Sequence, residues 1–184
     1  MRVHGKNVFN ELDLSKIRKI YLSNSFKDAD VLKKIKNNHI KYVITDNKIM
    51  NKMANNHQGI IVEIGNLRKY GTYVPSQDKN KLFLETKLSE LTSTDKIYDF
   101  TYPEILRKAK TVDTIWFNER KMPYAFYEVE HSTDIKNSLN KFYELQDFRA
   151  KFYIVAAKER KHQFDDIINS SIYAPIKEIV SFVD

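Results

Sequence analysis

Apolar and polar positions alternate most clearly in the second half of the chain. Two runs rich in aromatic and β-branched residues, 112–117 and 124–131, flank the polar segment 118–123. Residues of these types favour strands, and a short polar segment between two such runs is typical of a connection between neighbouring strands. The pattern therefore predicts two antiparallel strands joined by a six-residue loop.

Three carboxylates converge at one end of this predicted strand pair. Side chains alternate along a strand, so Glu130 shares a face with Glu128, and symmetric pairing brings Asp113 opposite Glu128. Like charges opposite one another in a sheet are destabilising. A divalent cation bound by oxygen ligands is the simplest way to neutralise them, which makes this end a candidate metal site. The predicted pairs are Phe117 with Tyr124, Ile115 with Phe126 and Asp113 with Glu128.

Helical and strand periods alternate through the rest of the chain, which is typical of the α/β class. Apolar stripes with a 3.6-residue period predict helices at 5–12, 28–37, 46–55, 82–91, 102–109, 134–147 and 159–169. Thr101 and either Ser132 or Thr133 are predicted N-caps for two of these helices. Short β-rich runs predict strands at 17–22, 40–44, 60–64, 152–156 and 179–183, with a turn at His57-Gln58-Gly59.

The net charge of +7 is concentrated in the first part of the chain. Residues 1–70 hold 14 Lys or Arg and 6 Asp or Glu, a net charge of +8, whereas residues 71–184 carry −1. The charge break predicts a basic domain at 1–68, a junction at 69–81 and a second domain at 82–184. Four basic residues of the first domain form a candidate phosphate-facing patch: Lys33, Lys34, Lys36 and Lys41.

The composition excludes several classes of site. The chain has no cysteine, so it has no disulfide, thiolate zinc site or cysteine nucleophile, and it fits a reducing compartment. No apolar run approaches the ~18 residues that span a bilayer, and no leader-like apolar segment follows Met1. These features predict a cytoplasmic protein that binds nucleic acid and no membrane. The oligomeric state, including a homodimer, is left open.

Three short segments at 3–8, 19–22 and 57–62 resemble the N-terminal substrate-binding domain of SpoU-type RNA 2′-O-ribose methyltransferases. The resemblance covers roughly residues 2–66, and His57-Gln58-Gly59 is its most specific part. It implies an RNA-contacting α/β/α sandwich, with His57 and Gln58 added to the basic patch. It does not imply methyl transfer, because the chain has no glycine after Gly71 from which the family's cofactor loops could be built.

The order of elements after residue 72 resembles the core of the PD-(D/E)XK nuclease superfamily, a restriction-endonuclease-like α/β fold with a mixed sheet. Carried over by position, the resemblance makes Asp113 the metal-binding aspartate and Glu128 the acidic residue of the second half-motif. Glu104 on the preceding helix matches a glutamate that some members add. Glu130 stands where the family usually has lysine. The candidates for a displaced positive group are His131, Lys136 and Lys141.

Two functions are consistent with these features. In the first, Asp113 and Glu128 hold Mg²⁺ or Mn²⁺, which activates a water molecule for phosphodiester hydrolysis, and Glu130 acts as a ligand or general base. In the second, the nuclease fold has lost its chemistry and the chain is a non-catalytic RNA-binding protein. The aromatic residues, including Trp116, are predicted to lie in the core more often than to stack on bases. Tyr70 and Tyr73 are predicted to be exposed at the junction, which leaves them the candidates for stacking.

Overall fold

Two compact units, Met1–Asn56 and His57–Asp184, make up the chain in the computed structural model. The structure describes Leu14 and residues 20–23, 26–45, 57–131 and 134–184. The helices predicted at 5–12 and 46–55 lie outside the described residues. Within those residues the fold is mixed α/β, as the alternation of helical and strand hydrophobic periods along the sequence predicts.

The described residues of the first unit form a parallel strand pair and one α-helix. Strand β1 (Ile20–Ser23) pairs with β2 (Tyr42–Thr45), and helix α1 (Ala29–Asn37) connects them. Asp28 caps α1, because its side chain accepts a hydrogen bond of 3.0 Å from the backbone N–H of Val31. The predicted helix at 28–37 is therefore confirmed. Among the described residues of this unit, the buried hydrophobic side chains form one cluster: Leu22, Val31, Ile35 and Ile40.

A five-stranded mixed sheet is the centre of the second unit. Its spatial order is β3-β6-β7-β8-β9, in which β3, β6 and β7 pair antiparallel and β7, β8 and β9 pair parallel. The predicted strands at 152–156 and 179–183 are confirmed within one residue at each end. The strands span Gly71–Tyr73 (β3), Thr114–Phe117 (β6), Pro123–Glu130 (β7), Lys151–Ala156 (β8) and Val180–Val183 (β9).

Helices cover both faces of this sheet. Ile115 and Phe126 belong to the larger core cluster, together with Leu139 of α5, whereas Trp116 and Tyr127 pack with Ile61 of α2 on the other face. Successive strand residues thus point to opposite layers. The helices span His57–Leu67 (α2), Leu88–Leu91 (α3), Pro103–Ala109 (α4), Ile135–Glu144 (α5) and Lys161–Ile168 (α6). A small hairpin pairs Leu82–Phe83 (β4) with Thr86–Lys87 (β5).

Residues 57–67 form a helix, so the predicted turn at His57-Gln58-Gly59 and the predicted strand at 60–64 are wrong. The isoleucine and valine residues of this segment suggest a strand from local propensity, but packing decides otherwise. Its buried residues lie on the helix face that meets the sheet and its neighbours: Gln58, Gly59, Ile61, Val62 and Gly65. Three of these five have no apolar side chain, which hides the helical period in the sequence.

Three smaller expectations also need correction. The segment 82–91 begins as the β4–β5 hairpin and is helical only in α3. Tyr102, rather than Thr101, is the N-cap residue of α4, while Pro103 occupies the first turn as expected. Asp134 caps α5 by accepting from the backbone N–H of Lys136 at 3.0 Å, and α5 ends at Glu144. The division into domains at 1–68 and 82–184 stays a prediction.

Replacing Gly65 by Ala is expected to destabilise the second unit by about 1–3 kcal/mol. A Cβ atom at Gly65 would lie 2.6 Å from both Thr72 Cγ2 and Trp116 Nε1, and Trp116 Nε1 donates to the carbonyl oxygen of Ile61 in the same helix at 3.2 Å. In an uncrowded helix the same change stabilises by up to ~1 kcal/mol. Chemical denaturation measures the free energy of unfolding.

Gly71→Ala is the matched control, since its Cβ atom would meet Phe117 Cβ at 3.4 Å, an ordinary van der Waals contact. We expect this variant to unfold at a denaturant concentration close to that of the wild type. Equal stability of the Gly65 variant would contradict close packing of α2 on the sheet.

Candidate functional site

The β6–β7 hairpin has the predicted register over most of its length. Ile115 pairs with Phe126 as expected, and Thr114 pairs with Tyr127. Near the loop a bulge shifts the pairing, so that Phe117 pairs with Pro123 and the predicted partner Tyr124 is wrong. The shift leaves the other end of the hairpin, where the carboxylates lie, in the predicted register.

Asp113 lies one residue before β6 and is tied to β7. The backbone N–H of Val129 donates to Asp113 Oδ2 at 2.7 Å. This hydrogen bond places the carboxylate beside the strand segment that carries Glu128 and Glu130. The contact of the Asp113 side chain with the Glu-x-Glu strand is therefore a hydrogen bond to the main chain of β7.

Glu128 is a buried carboxylate held by Lys141 of α5. Its side chain is 3% exposed, and Lys141 Nζ lies 2.9 Å from Oε1 and 2.8 Å from Oε2. The same ammonium group donates to the carbonyl oxygen of Thr111 at 3.1 Å. A buried charge is costly unless it is paired and hydrogen-bonded, and Lys141 meets both needs. Of the three candidates for a positive group, Lys141 is the one that contacts the carboxylates.

Ser138 joins the two glutamates. It lies one helical turn before Lys141, and its hydroxyl donates to Glu128 Oε2 at 2.8 Å and contacts Glu130 Oε1. A serine hydroxyl has a single hydrogen, so it donates fully to only one carboxylate at a time. Ser138 therefore links Glu128 to Glu130 on the same face of β7.

The pKa values of both carboxyl groups of the site are raised from their ordinary values. Burial raises the pKa of Glu128 to about 7, and Asp113 adds to this effect, against the opposing effects of Lys141 and Ser138. Burial also raises the pKa of Asp113, while the Val129 N–H and Lys141 oppose the rise. Both carboxyl groups thus hold their protons more tightly than exposed ones do.

A second set of polar side chains reaches Asp113 from α2. Gln58 Nε2 donates to the carbonyl oxygen of Asp113 at 2.5 Å and to Asp78 Oδ2 at 2.8 Å. Asp78 is 3% exposed, and its Oδ1 atom lies 2.6 Å from Lys81 Nζ. Gln58 is therefore a buried residue of the acidic site, although the sequence suggests a contact with nucleic acid.

The other predicted site residues lie in different surroundings. Glu104 is on the surface of α4, where its side chain is 72% exposed and lies 3.8 Å from Arg107. His57 begins α2 and stacks on His131, with ring centroids 5.3 Å apart. The four lysines of the predicted patch are at exposed positions of the first unit: Lys33, Lys34 and Lys36 on α1 and Lys41 before β2. Their roles in binding stay predictions.

The aromatic residues are mainly core residues, as predicted. Trp116 is 4% exposed, and so is Tyr73, which corrects the expectation that Tyr73 is exposed. Tyr70 stacks on Tyr124 with ring centroids 4.3 Å apart, and Lys151 Nζ lies 5.4 Å from the centroid of the Tyr124 ring. These contacts pack Tyr70 and Tyr124 against neighbouring side chains of the sheet.

The oxygen donors fit a hard divalent cation in chemical type. An ionised carboxylate has about four acceptor positions. The described contacts of Glu128 use three of them, and the one described hydrogen bond to the Asp113 carboxylate uses one. Among the described residues, however, no group of three or more His, Cys, Asp or Glu side chains is already arranged to hold a metal ion. A metal would therefore share Asp113 and Glu128 with their protein partners.

Sequence reasoning missed Ser138, Asp78 and the inward role of Gln58. One signal was present for the first of these, since Ser138 and Lys141 are three residues apart on a predicted helix and therefore share a face. For Asp78 there was no local signal, because it lies in the loop between β3 and β4.

The described part of the chain has no helix long and apolar enough to cross a membrane.

The mixed sheet, the acid at the start of β6 and the Glu-x-Glu segment on β7 together define a restriction-endonuclease-like region. Comparison with protein families gives the same class more specifically. The chain belongs to the family of type II restriction enzyme NmeDI C-terminal domains, which matches residues 30–182. A search of curated proteins found no match, and neither did a search of solved structures. None of the comparisons supports the resemblance to SpoU-type methyltransferases.

Proposed function

We propose that the chain is a metal-dependent nuclease that hydrolyses phosphodiester bonds of DNA. The observation that carries this proposal is the pair of the half-buried Asp113 and the buried Glu128, which the Val129 N–H and Lys141 hold at one end of the β6–β7 hairpin. Keeping two carboxyl groups in a desolvated position costs stability. Clusters of this kind, with raised pKa values, are typical of functional sites.

Asp113 and Glu128 would hold Mg²⁺ or Mn²⁺, with the remaining acceptor positions of their carboxylates turned to the ion. When bound, such an ion lowers the pKa of a water molecule and offsets the negative charge of the phosphate. Glu104 is left out of this set, because its side chain is exposed and paired with Arg107. The ligands would thus be these two carboxylates, with the backbone carbonyl oxygen of Val129, between Glu128 and Glu130, as a further oxygen ligand.

Lys141 supplies a positive charge in place of the lysine that PD-(D/E)XK nucleases usually have at the position of Glu130. It is on α5 rather than β7, but its ammonium group reaches the same carboxylate from the neighbouring helix. Its first role is to keep Glu128 in place, and its second is to add positive charge beside the reacting phosphate. Glu130, joined to Glu128 through Ser138, would act as a further ligand or as the general base.

DNA is favoured over RNA as the substrate, because the family match to a type II restriction enzyme domain begins at residue 30 and includes α1 with its lysines. The SpoU resemblance loses its most specific support, since His57-Gln58-Gly59 is the start of a helix. A non-catalytic RNA-binding protein is the second candidate, carried by the exposed lysines of the first unit. This second candidate predicts salt-dependent RNA binding whose affinity is not altered by substitutions at Asp113 and Glu128.

Cleavage assays on the full chain test the two candidates against each other. Supercoiled plasmid, linear duplex DNA and structured RNA are incubated with Mg²⁺, Mn²⁺ or a chelator. We expect cuts in DNA with either ion and none with the chelator. If neither nucleic acid is cut with either ion, while RNA is bound and released by salt, the second candidate replaces the first.

A further inference from the structure

Gln58 is a buried amide whose two N–H groups both have acceptors. The residue is 5% exposed. Its Nε2 atom lies 2.5 Å from the carbonyl oxygen of Asp113 and 2.8 Å from Asp78 Oδ2. An amide nitrogen carries two hydrogens, so this pair of acceptors uses both of them. The orientation of the amide is thereby determined, because a flipped amide would turn its oxygen toward two acceptors.

Asp78 holds the Gln58 amide on the side opposite the Asp113 carbonyl. It lies in the loop between β3 and β4, where its backbone N–H donates to the carbonyl oxygen of Pro75 at 2.9 Å. One carboxylate oxygen accepts from Gln58, and the other lies 2.6 Å from Lys81 Nζ. A carboxylate that is 3% exposed needs such partners to offset the loss of water. The loop, α2 and the start of β6 are therefore tied together through polar atoms.

Asp113 is consequently held at both its main chain and its side chain. Its carbonyl oxygen accepts from Gln58, and its Oδ2 atom accepts from the Val129 N–H at 2.7 Å. A shift of the Asp113–Thr114 peptide would break the first bond, whereas a rotation of the carboxylate would break the second. Both bonds together leave the carboxylate one position beside Glu128.

We propose that Gln58 and Asp78 are positioning residues, which act through the Asp113 carbonyl to hold the Asp113 carboxylate in place for a divalent cation. This inference rests on the proposed function, since it assumes that Asp113 binds the cation. Side chains that orient metal ligands typically contribute 10–100-fold to metal affinity or activity. Gln58 and Asp78 do not touch the cation or the substrate in this arrangement.

A purely structural role would have a different signature. Helix α2 is also held by apolar contacts: Val62 is fully buried in a cluster with Val74, Phe83 and Leu88. Loss of Val62 contacts would lower stability without touching Asp113. Loss of the Gln58 hydrogen bonds would release the Asp113 peptide, and the affinity for the cation would change along with stability.

The test compares four variants of the full chain: Gln58→Leu, Asp78→Leu, Asp78→Asn and the control Val62→Ala. Titration calorimetry with Mn²⁺ alone gives the affinity for the cation, DNA cleavage at saturating Mn²⁺ gives the activity, and circular dichroism shows that each variant is folded. Asp78→Asn keeps an oxygen that accepts from Gln58, so it is the conservative variant and remains informative even where Asp78→Leu fails to fold.

We expect Gln58→Leu and Asp78→Leu to weaken Mn²⁺ binding and to slow cleavage by about 10–100-fold. Asp78→Asn should bind Mn²⁺ more tightly than Asp78→Leu, because its amide oxygen still accepts from Gln58 although its amide nitrogen cannot replace the contact with Lys81. Val62→Ala should lose stability while it keeps its affinity for Mn²⁺. If wild type and Gln58→Leu bind Mn²⁺ equally, or if Val62→Ala loses as much affinity as Gln58→Leu, the positioning role is overturned although the nuclease proposal stands. A wild-type chain that neither binds Mn²⁺ nor cuts DNA overturns both.

Discussion

Asp113→Asn and Glu128→Gln are each expected to lower DNA cleavage by about 10³-fold or more. Each change keeps the size of the side chain and removes its negative charge. A bound cation contributes several kcal/mol of stabilisation to the transition state, and each 1.36 kcal/mol corresponds to a factor of ten in rate. Cleavage of a plasmid under single-turnover conditions with Mg²⁺ measures the loss.

Glu104→Gln is the matched control for these two variants, because it removes a carboxylate of the same kind from an exposed position on α4. We expect it to cleave DNA at the wild-type rate. Full activity of Asp113→Asn would contradict the assignment of Asp113 to the site.

Cleavage by the wild type should increase as the pH rises through about 7. The pKa of Glu128 is raised to about 7, and a protonated carboxyl group is a poor metal ligand.

The hairpin and its acids could be predicted because the information is local. Alternation along a strand determines which residues share a face, and symmetric pairing then brings Asp113 to Glu128. The structure keeps this register from Thr114 to Trp116 and departs from it at the bulge near Phe117. Bulges depend on how the loop closes, which periodicity does not encode.

Helix α2 could not be predicted, because its helical character comes from what it packs against. Residues 60–62 are Ile-Ile-Val, which favours a strand by propensity alone. Gly59 and Gly65 belong to the helix because Phe83 and Trp116 approach its backbone closely at these two positions. The contact of Gln58 with Asp113 likewise depends on the sheet being in place.

The charge of the site also depends on tertiary structure. Lys141 was one of three candidates for the positive group, and only the rotation of α5 on the sheet selects it over Lys136. Ser138 and Lys141 share the face of α5 that meets Glu128. Lys136 is exposed on the same helix. Helical period predicts which residues lie together, but not which strand atoms they meet.

Lys141→Met is expected to destabilise the chain by about 3–5 kcal/mol at pH 8, because it leaves the buried Glu128 carboxylate without its cation. The cost depends on pH. In the wild type, the pKa of Glu128 is raised from 4.5 to about 7, so its contribution to stability is fully present below 4.5 and is lost as the pH rises through 7. Without Lys141 the pKa rises further, and the loss extends to higher pH.

Urea denaturation at several pH values between 4 and 9 measures this effect. Lys136→Met is the matched control, since it removes an exposed lysine from the same helix and should leave the free energy of unfolding nearly unchanged. In the double variant Lys141→Met with Glu128→Gln, the neutral amide no longer needs a cation, so most of the stability at pH 8 should return and the pH dependence should flatten. An unrescued double variant would mean that the Lys141 side chain stabilises the helix by packing and not by pairing with Glu128.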